Sequence, residues 1–189
     1  MNRIAKFLKV SYDQWIKDSP LSEVEAKRAY DHIKLPVRST EGSAGYDFFA
    51  PYDFEIPSGE SLVISTGIRG RMEPDWVLCL FPRSGMGFRQ GIRLANTVGV
   101  IDADYFFADN EGHILIKLLN PSEKKLKVKH NSAFAQGIFF PFGVTYDDEA
   151  QGGRHGGFGS TDQKTETHSP GKTVASSRPS EMRLIEPVN

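Results

Sequence analysis

Between residues 35 and 145 the apolar positions fall in short runs broken by turn residues, with no helical period between them. Residues 54–56 stop at Pro57-Ser58-Gly59-Glu60, a turn in which the fixed φ of proline is already suitable. Residues 61–68 follow, where Leu62, Ile64 and Thr66 alternate with Val63, Ser65 and Gly67. A period of two is that of a strand. Pro74-Asp75 then turns the chain into 76–81, a continuous apolar run that suits a fully buried strand. Further runs occupy 112–119, 124–128 and 133–142. Residues 124–129 alternate lysine with apolar side chains, which reads as a half-exposed strand with a solvated lysine face. Strands at this spacing predict an all-β antiparallel sandwich or barrel.

The ends of the chain differ. Residues 4–10 read as a strand. Ser19 and Pro20 ahead of 21–33 predict a helix, with a hydroxyl at the N-cap, proline at the first helical position, and Glu23 and Glu25 near its positive end. After Thr161, Lys, Thr, Ser, Pro and Gly dominate to about Arg178, the composition of a disordered tail. The chain thus divides into a strand and helical extension (1–34), a β core (35–145), a Gly-rich arm (146–162) and a tail (163–189).

Composition narrows the function. With 39% hydrophobic and 25% charged residues in 189, the chain has the makeup of one globular domain with appended segments. A formal charge of −1 gives no general affinity for polyanions, so no nucleic-acid partner is expected and any phosphate recognition must be local. The single Cys79 sits in an apolar run, which excludes an intrachain disulfide and fits an inert buried thiol. Residues 1–10 are too polar for a secretory leader and no stretch approaches membrane-spanning length, so a cytoplasmic chain without membrane contact is expected.

Five polar-glycine islands lie between or beside the strands. Arg83-Ser84-Gly85 offers a guanidinium, a hydroxyl and backbone N–H groups together, a cradle for a phosphate oxygen; an ordinary strand-end turn is the commoner outcome for such a tripeptide. Asp47 follows Ala44-Gly45-Tyr46, and one exposed carboxylate is usually just solvated. Asp102 and Asp104 flank one alanine and on extended backbone point to the same side, to share a water or cation or to face solvent. Tyr105 beside them is more often core than ligand platform. Gln136 interrupts an apolar strand, so its amide needs a partner, whether structural or a substrate. Gly156-Gly157-Phe158-Gly159-Ser160-Thr161 suits a mobile arm whose ring stacks on a flat base and whose hydroxyls grip phosphate, or else a solvated linker.

In order and approximate spacing over 35–161, these islands resemble the trimeric all-β deoxyuridine triphosphate nucleotidohydrolases, the dUTPases. The most specific pieces are Gly99-Val100-Ile101-Asp102-Ala103-Asp104-Tyr105 and Gly157-Phe158-Gly159-Ser160-Thr161, with Pro82-Arg83-Ser84-Gly85 between the first and third islands. The resemblance implies a jelly-roll-like β-sandwich, a homotrimer with sites shared between subunits, and hydrolysis of dUTP to dUMP and pyrophosphate. Residues 96–105 would form a β-hairpin holding uracil through main-chain groups, with Asn96 and Val100 in that pocket. Tyr105 would pack under the deoxyribose and exclude a 2′-hydroxyl. Asp102 would bond the 3′-hydroxyl and hold the attacking water. Ser84 and Gly85 would bond phosphate oxygens, with Arg83 supplying charge. Asp47 and Gln136 would touch the magnesium hydration shell or the α-phosphate. Mg²⁺ would be held by the triphosphate and water, with no direct protein ligand. Phe158 and Gly159 would cover uracil, while Ser160, Thr161 and Arg154 reach the outer phosphates.

Three places depart from that pattern. Phe106-Phe107-Ala108-Asp109-Asn110 intervene where relatives have Arg-Gly almost directly after the tyrosine, and a longer loop is expected there. Arg154 stands four residues before Phe158 where many relatives have five, and His155 beside it is an extra phosphate contact or exposed. The N-terminal extension is the third, with no partner readable from its residues. A dCTP deaminase of the same superfamily would need a glutamate where Lys117 stands. A non-catalytic nucleotide sensor on the same scaffold would have no need of Asp102.

Overall fold

A computed structural model describes residues 2–152 of the chain. In chain order its strands are β1 (Ala5–Lys9), β2 (Val37–Arg38), β3 (Tyr46–Phe49), β4 (Phe54–Ile56), β5 (Ser61–Ser65), β6 (Ile68–Met72), β7 (Trp76–Pro82), β8 (Arg93–Leu94), β9 (Gly99–Ile101), β10 (Leu115–Leu119), β11 (Leu126–Val128) and β12 (Ala133–Pro141). The helices are α1 (Tyr12–Asp18), α2 (Glu23–Asp31) and α3 (Ser84–Gln90), with a 3-10 turn at Ala103–Phe107. The largest sheet runs β2-β3-β12-β7-β9, and smaller ones pair β5-β10-β8, β1-β6 and β11-β4. The strand pairs are antiparallel. The fold is mostly β, as the turn-broken pattern predicts.

Phe48, Ile64, Leu78, Leu80, Ile116 and Phe134 are buried where the sheets meet. Burying each such side chain is worth about 1.5–3 kcal/mol. β1 belongs to this core, because Phe7 packs edge-on against Tyr46 and Phe48 with ring centroids 5.4 and 5.6 Å apart.

The structure corrects the sequence reading at several points. The run 76–81 is not buried on both faces: Leu78 and Leu80 point into the core, while Val77, Cys79 and Phe81 lie half-buried on the other side. β7 is an interior strand of its sheet, between β12 and the edge strand β9, but only one face of that sheet meets the core. The run 61–68 is two strands, β5 and β6, separated at Gly67, whose φ is +71°. A Cβ at Gly67 would collide with Ile33 Cδ1, so the N-terminal extension packs on this break. In β6, Ile68, Gly70 and Met72 turn inward and Arg69 and Arg71 alternate with them, a pattern whose apolar signal is weak because one inward position is glycine. The β11 region keeps its half-exposed strand and solvated lysine face, where Lys125 and Lys127 also pair with Glu55 and Lys129 with Asp53.

The N-terminal helix begins later than predicted, and a second precedes it. Ser19 ends α1, its backbone N–H donating to Trp15 O. α2 starts at Ser22, where Ser22 and Glu25 form a reciprocal capping box. Capping competes locally, and a box satisfying two orphan donors outweighs Ser-Pro three residues earlier. Fully buried Trp15 joins the helices, its Nε1 donating to Ala26 O at 2.9 Å. α3 also lies inside the stretch read as strands and turns. Gly91, left-handed at φ +68° as its C-cap, is the signal that marks it.

Candidate active site

Of the candidate residues, Asp47, Gln136, Val100 and Asp102 lie on the outer face of the five-stranded sheet. Side chains directly opposite in an antiparallel pair share a face, and alternate residues along a strand do too. Gln136 on β12 faces Asp47 on β3 and Phe81 on β7, while Cys79 faces Ile138 on β12 and Val100 on β9. All six therefore lie on the side away from the core, where Val100 is 57% exposed. Asp102, two residues beyond Val100, is exposed on the same side. Its charge acts on Cys79: burial, and then Asp102, pushes that thiol pKa above its ordinary value. Such a thiol is protonated and inert at neutral pH.

At one end of this face β7 runs straight into α3. Arg83 is the N-cap, in extended conformation, and Ser84 and Gly85 open the helix. First-turn N–H groups have no partner within their own helix and point out of its positive end. Arg83 reaches back to Asp47, with Nε 3.3 Å from Oδ1 and Nη2 3.3 Å from Oδ2. Ser39 Oγ donates to the same carboxylate at 3.0 Å. Gln136 Nε2 donates to Pro82 O at 3.3 Å, which aims its amide toward the β7–α3 junction. Gly45 makes room for it, because a Cβ there would sit 2.7 Å from Gln136 Oε1.

Along β9 lies an apolar groove of about 410 Å³, walled by Val63, Leu80, Leu94, Ile101 and Ile116. Asn96, Val100 and Lys117 stand on its polar and open sides. The segment 96–105 is not one hairpin ladder. β8 pairs with β10 and β9 pairs with β7, and a single bridge, Leu94 to Thr97, closes the reversal between them. Thr97 takes φ +65° there, and Val98 N donates to Asn96 O at 2.7 Å. β9 gains three register positions against β7, more than the short β8 could offer it.

After Ile101 the chain coils instead of extending, so Asp102 is the cap of a 3-10 turn and Asp104 lies within it. The two carboxylates do not share the strand alternation expected of extended backbone. Tyr105 is 4% exposed. Its hydroxyl donates to His113 O at 2.8 Å and accepts from Asn110 Nδ2 at 2.8 Å. The insertion 106–110 is thus a folded cap rather than a long loop, and Arg69 stacks 3.7 Å from the Phe106 ring. Sequence reasoning missed Asn110 and His113 as supports of Tyr105; the polar residues beside Gly112 were the only signal. Arg154, His155, Phe158, Gly159, Ser160 and Thr161 lie outside the described residues. Among the described residues no cluster of three or more His, Cys, Asp or Glu side chains could hold a metal ion.

The apolar groove along β9 has the chemistry to take a base, and the separate platform of hydroxyl, amide, guanidinium and carboxylate at the start of α3 has that to take phosphates, the two halves of a nucleotide. The dUTPase family model matches residues 31–161. The deoxyuridine 5′-triphosphate nucleotidohydrolase of Lactococcus lactis subsp. lactis (strain IL1403) is 40% identical over 142 residues, covering 74% of this chain and 95% of that protein. The crystal structure of dUTPase from Streptococcus mutans is 37% identical and superposes with a TM-score of 0.55, over 59% of this chain and 88% of that one. A mutant dUTPase from phage phi11 of S. aureus, only 16% identical, shares the fold at a TM-score of 0.58 over 79% of this chain and 98% of that one. The chain belongs to the dUTPase family.

Proposed function

We infer that this chain hydrolyses dUTP to dUMP and pyrophosphate, the activity that defines its family. The observation that carries the site assignment is that β3 and β12 set Asp47 and Gln136 beside the Arg83–Gly85 junction, while β9 carries Val100 and Asp102 toward the far end of β7, so that the β9 segment of another copy completes the site.

Uracil enters the groove along β9, bonded by main-chain groups near Val100 and supported by Asn96. The close backbone there leaves no volume for a 5-methyl group. Tyr105 walls the deoxyribose and excludes a 2′-hydroxyl. Asp102 bonds the 3′-hydroxyl and accepts a proton from the attacking water. The water oxygen bonds to the α-phosphorus as the bond from that phosphorus to the bridging oxygen breaks, and pyrophosphate leaves with the electron pair. Ser84 and Gly85 bond phosphate oxygens, while Arg83, held by Asp47, supplies positive charge. Members of the family generally use Mg²⁺, which when bound spreads the developing phosphate charge. Its hard-cation chemistry fits the oxygens of Asp47 and Gln136 as partners of its hydration water. Phe158 and Gly159 of the arm cover the base, and Arg154, Ser160 and Thr161 reach the outer phosphates, so closure excludes water and aligns the nucleophile.

The sandwich is of jelly-roll type and works as a homotrimer with sites shared between subunits. The half-buried row of Val77, Cys79, Phe81 and Ile138 on the outer face, with exposed Phe140, supports burial against another copy. Among the described residues no helix is long and apolar enough to cross a membrane. The reaction takes place in the cytoplasm, where it keeps uracil out of DNA and supplies dUMP. Hydrolysis in ¹⁸O-water tests the direction of attack. Label in dUMP is expected, and label in pyrophosphate would overturn it.

A further inference from the structure

The N-terminal extension meets Glu111 and His113, in the turn that directly follows the insertion after Tyr105, and this contact leads to Tyr105. Ser11, the cap of α1, donates to Glu111 through its N–H at 2.8 Å and its Oγ at 2.6 Å. Arg69 Nη1 lies 3.5 Å from the same carboxylate. At the other end of α1, Asp18 Oδ2 is 2.6 Å from His113 Nδ1 and also accepts from Gln14 Nε2 at 2.6 Å. His113 is fully buried, and its Nε2 accepts the Gly67 N–H at 2.8 Å. A backbone N–H can only donate, so Nε2 is the bare nitrogen and Nδ1 carries the proton toward Asp18.

Both ring nitrogens are therefore fixed, and the His113 backbone with them. That backbone supplies the carbonyl that accepts the Tyr105 hydroxyl. Gly112 locks the turn from below, its N–H donating to Asn110 Oδ1 at 3.1 Å while Asn110 Nδ2 donates to the Tyr105 hydroxyl. α1 thus reaches the tyrosine through one side chain and one carbonyl.

We propose that the N-terminal extension is a positioning element for nucleotide specificity: Asp18, through His113, sets where the Tyr105 ring stands and so how strictly a 2′-hydroxyl is refused. The proposal rests on the assignment of Tyr105 to the sugar. Asp18 and His113 are positioning residues, since neither touches the nucleotide.

The test is the ratio of kcat/KM for dUTP to that for UTP in the full-length protein. Both rates come from one sample, so the ratio does not depend on the folded fraction. Asp18→Ala removes the acceptor for His113 and is expected to lower the ratio about tenfold, mainly by raising activity on UTP. Asp18→Asn keeps an oxygen acceptor and should restore it to within about twofold of the parent. Tyr105→Phe cuts the last bond of the chain and should match Asp18→Ala, with the double variant no worse than either single. Should Asp18→Ala fail to fold, Glu111→Ala loosens the same turn from its more exposed side and should shift the ratio in the same direction. If Tyr105→Phe lowers the ratio while Asp18→Ala and Glu111→Ala leave it unchanged, the extension does not position the ring and the proposal is wrong. If Tyr105→Phe and Tyr105→Ala both leave it unchanged, the sugar assignment itself falls, and the proposal with it.

Discussion

Asp47 and Gln136 stand directly opposite each other across β3 and β12, and Gly45 leaves the space into which the Gln136 amide fits. The carboxylate is engaged by Arg83 and the amide by Pro82 O, so both are tied to the start of α3. An exposed sheet face has become a polar platform with a defined shape.

Gly45→Ala tests that shape. The new Cβ would press on Gln136 Oε1 from 2.7 Å, and the end of a flexible side chain yields more readily than backbone. The fold should persist while the amide turns away. We expect kcat/KM on dUTP to drop about tenfold, with the melting temperature within about 3 °C of the parent. Unchanged kinetics would remove Gln136 from the platform.

Gly112→Ala should instead cost stability. Gly112 takes φ +69°, and a Cβ there would lie 2.5 Å from Tyr105 O and 2.8 Å from Phe106 Cα. Backbone cannot move aside as a side chain can. A loss of about 2–4 kcal/mol in denaturant unfolding is expected. A loss under about 0.5 kcal/mol would show that the 110–113 turn is not rigid.

The pH dependence of stability follows from His113. Burial holds its pKa below the ordinary 6.5, although Asp18 and Glu111 pull the other way. Between the folded value and 6.5 the unfolded chain binds more protons than the folded one. The contribution of His113 is therefore complete above about pH 6.5 and is lost as pH falls through the folded value. Melting temperature should decline over that acid range, and His113→Gln should flatten the decline. An identical slope in the variant would assign the acid sensitivity to other groups.

How far the sequence reveals this molecule depends on the range of the interactions involved. Phe54–Ile56 was legible because a Pro-Ser-Gly turn bounds it, and the alternation of Leu126, Lys127 and Val128 because lysine and apolar side chains cannot exchange faces. α1 was missed although Ser11 caps it, since its seven residues carry too few turns to set up a period. The capping box of α2 was present as Ser22-Glu23-Val24-Glu25, but Ser19-Pro20 competes for the same start. The shared face was not readable at all. It depends on Gln136 meeting Asp47 and on Val100 meeting Cys79, registers set by pairing between distant segments. Family resemblance supplied the roles of those residues, and packing shows what braces them, as with Asn110 and His113 behind Tyr105.

The most direct measurement is pyrophosphate release with Mg²⁺ from dUTP, dTTP, UTP and dCTP, by the parent chain and by Asp102→Asn. The parent should turn over dUTP with a kcat/KM at least about 100-fold above the other three. Asp102→Asn should lose at least about 100-fold in kcat while its affinity for a non-hydrolysable dUTP analogue stays within about fivefold. Equal turnover of dUTP and dTTP, or an Asp102→Asn variant as fast as the parent, would contradict the account.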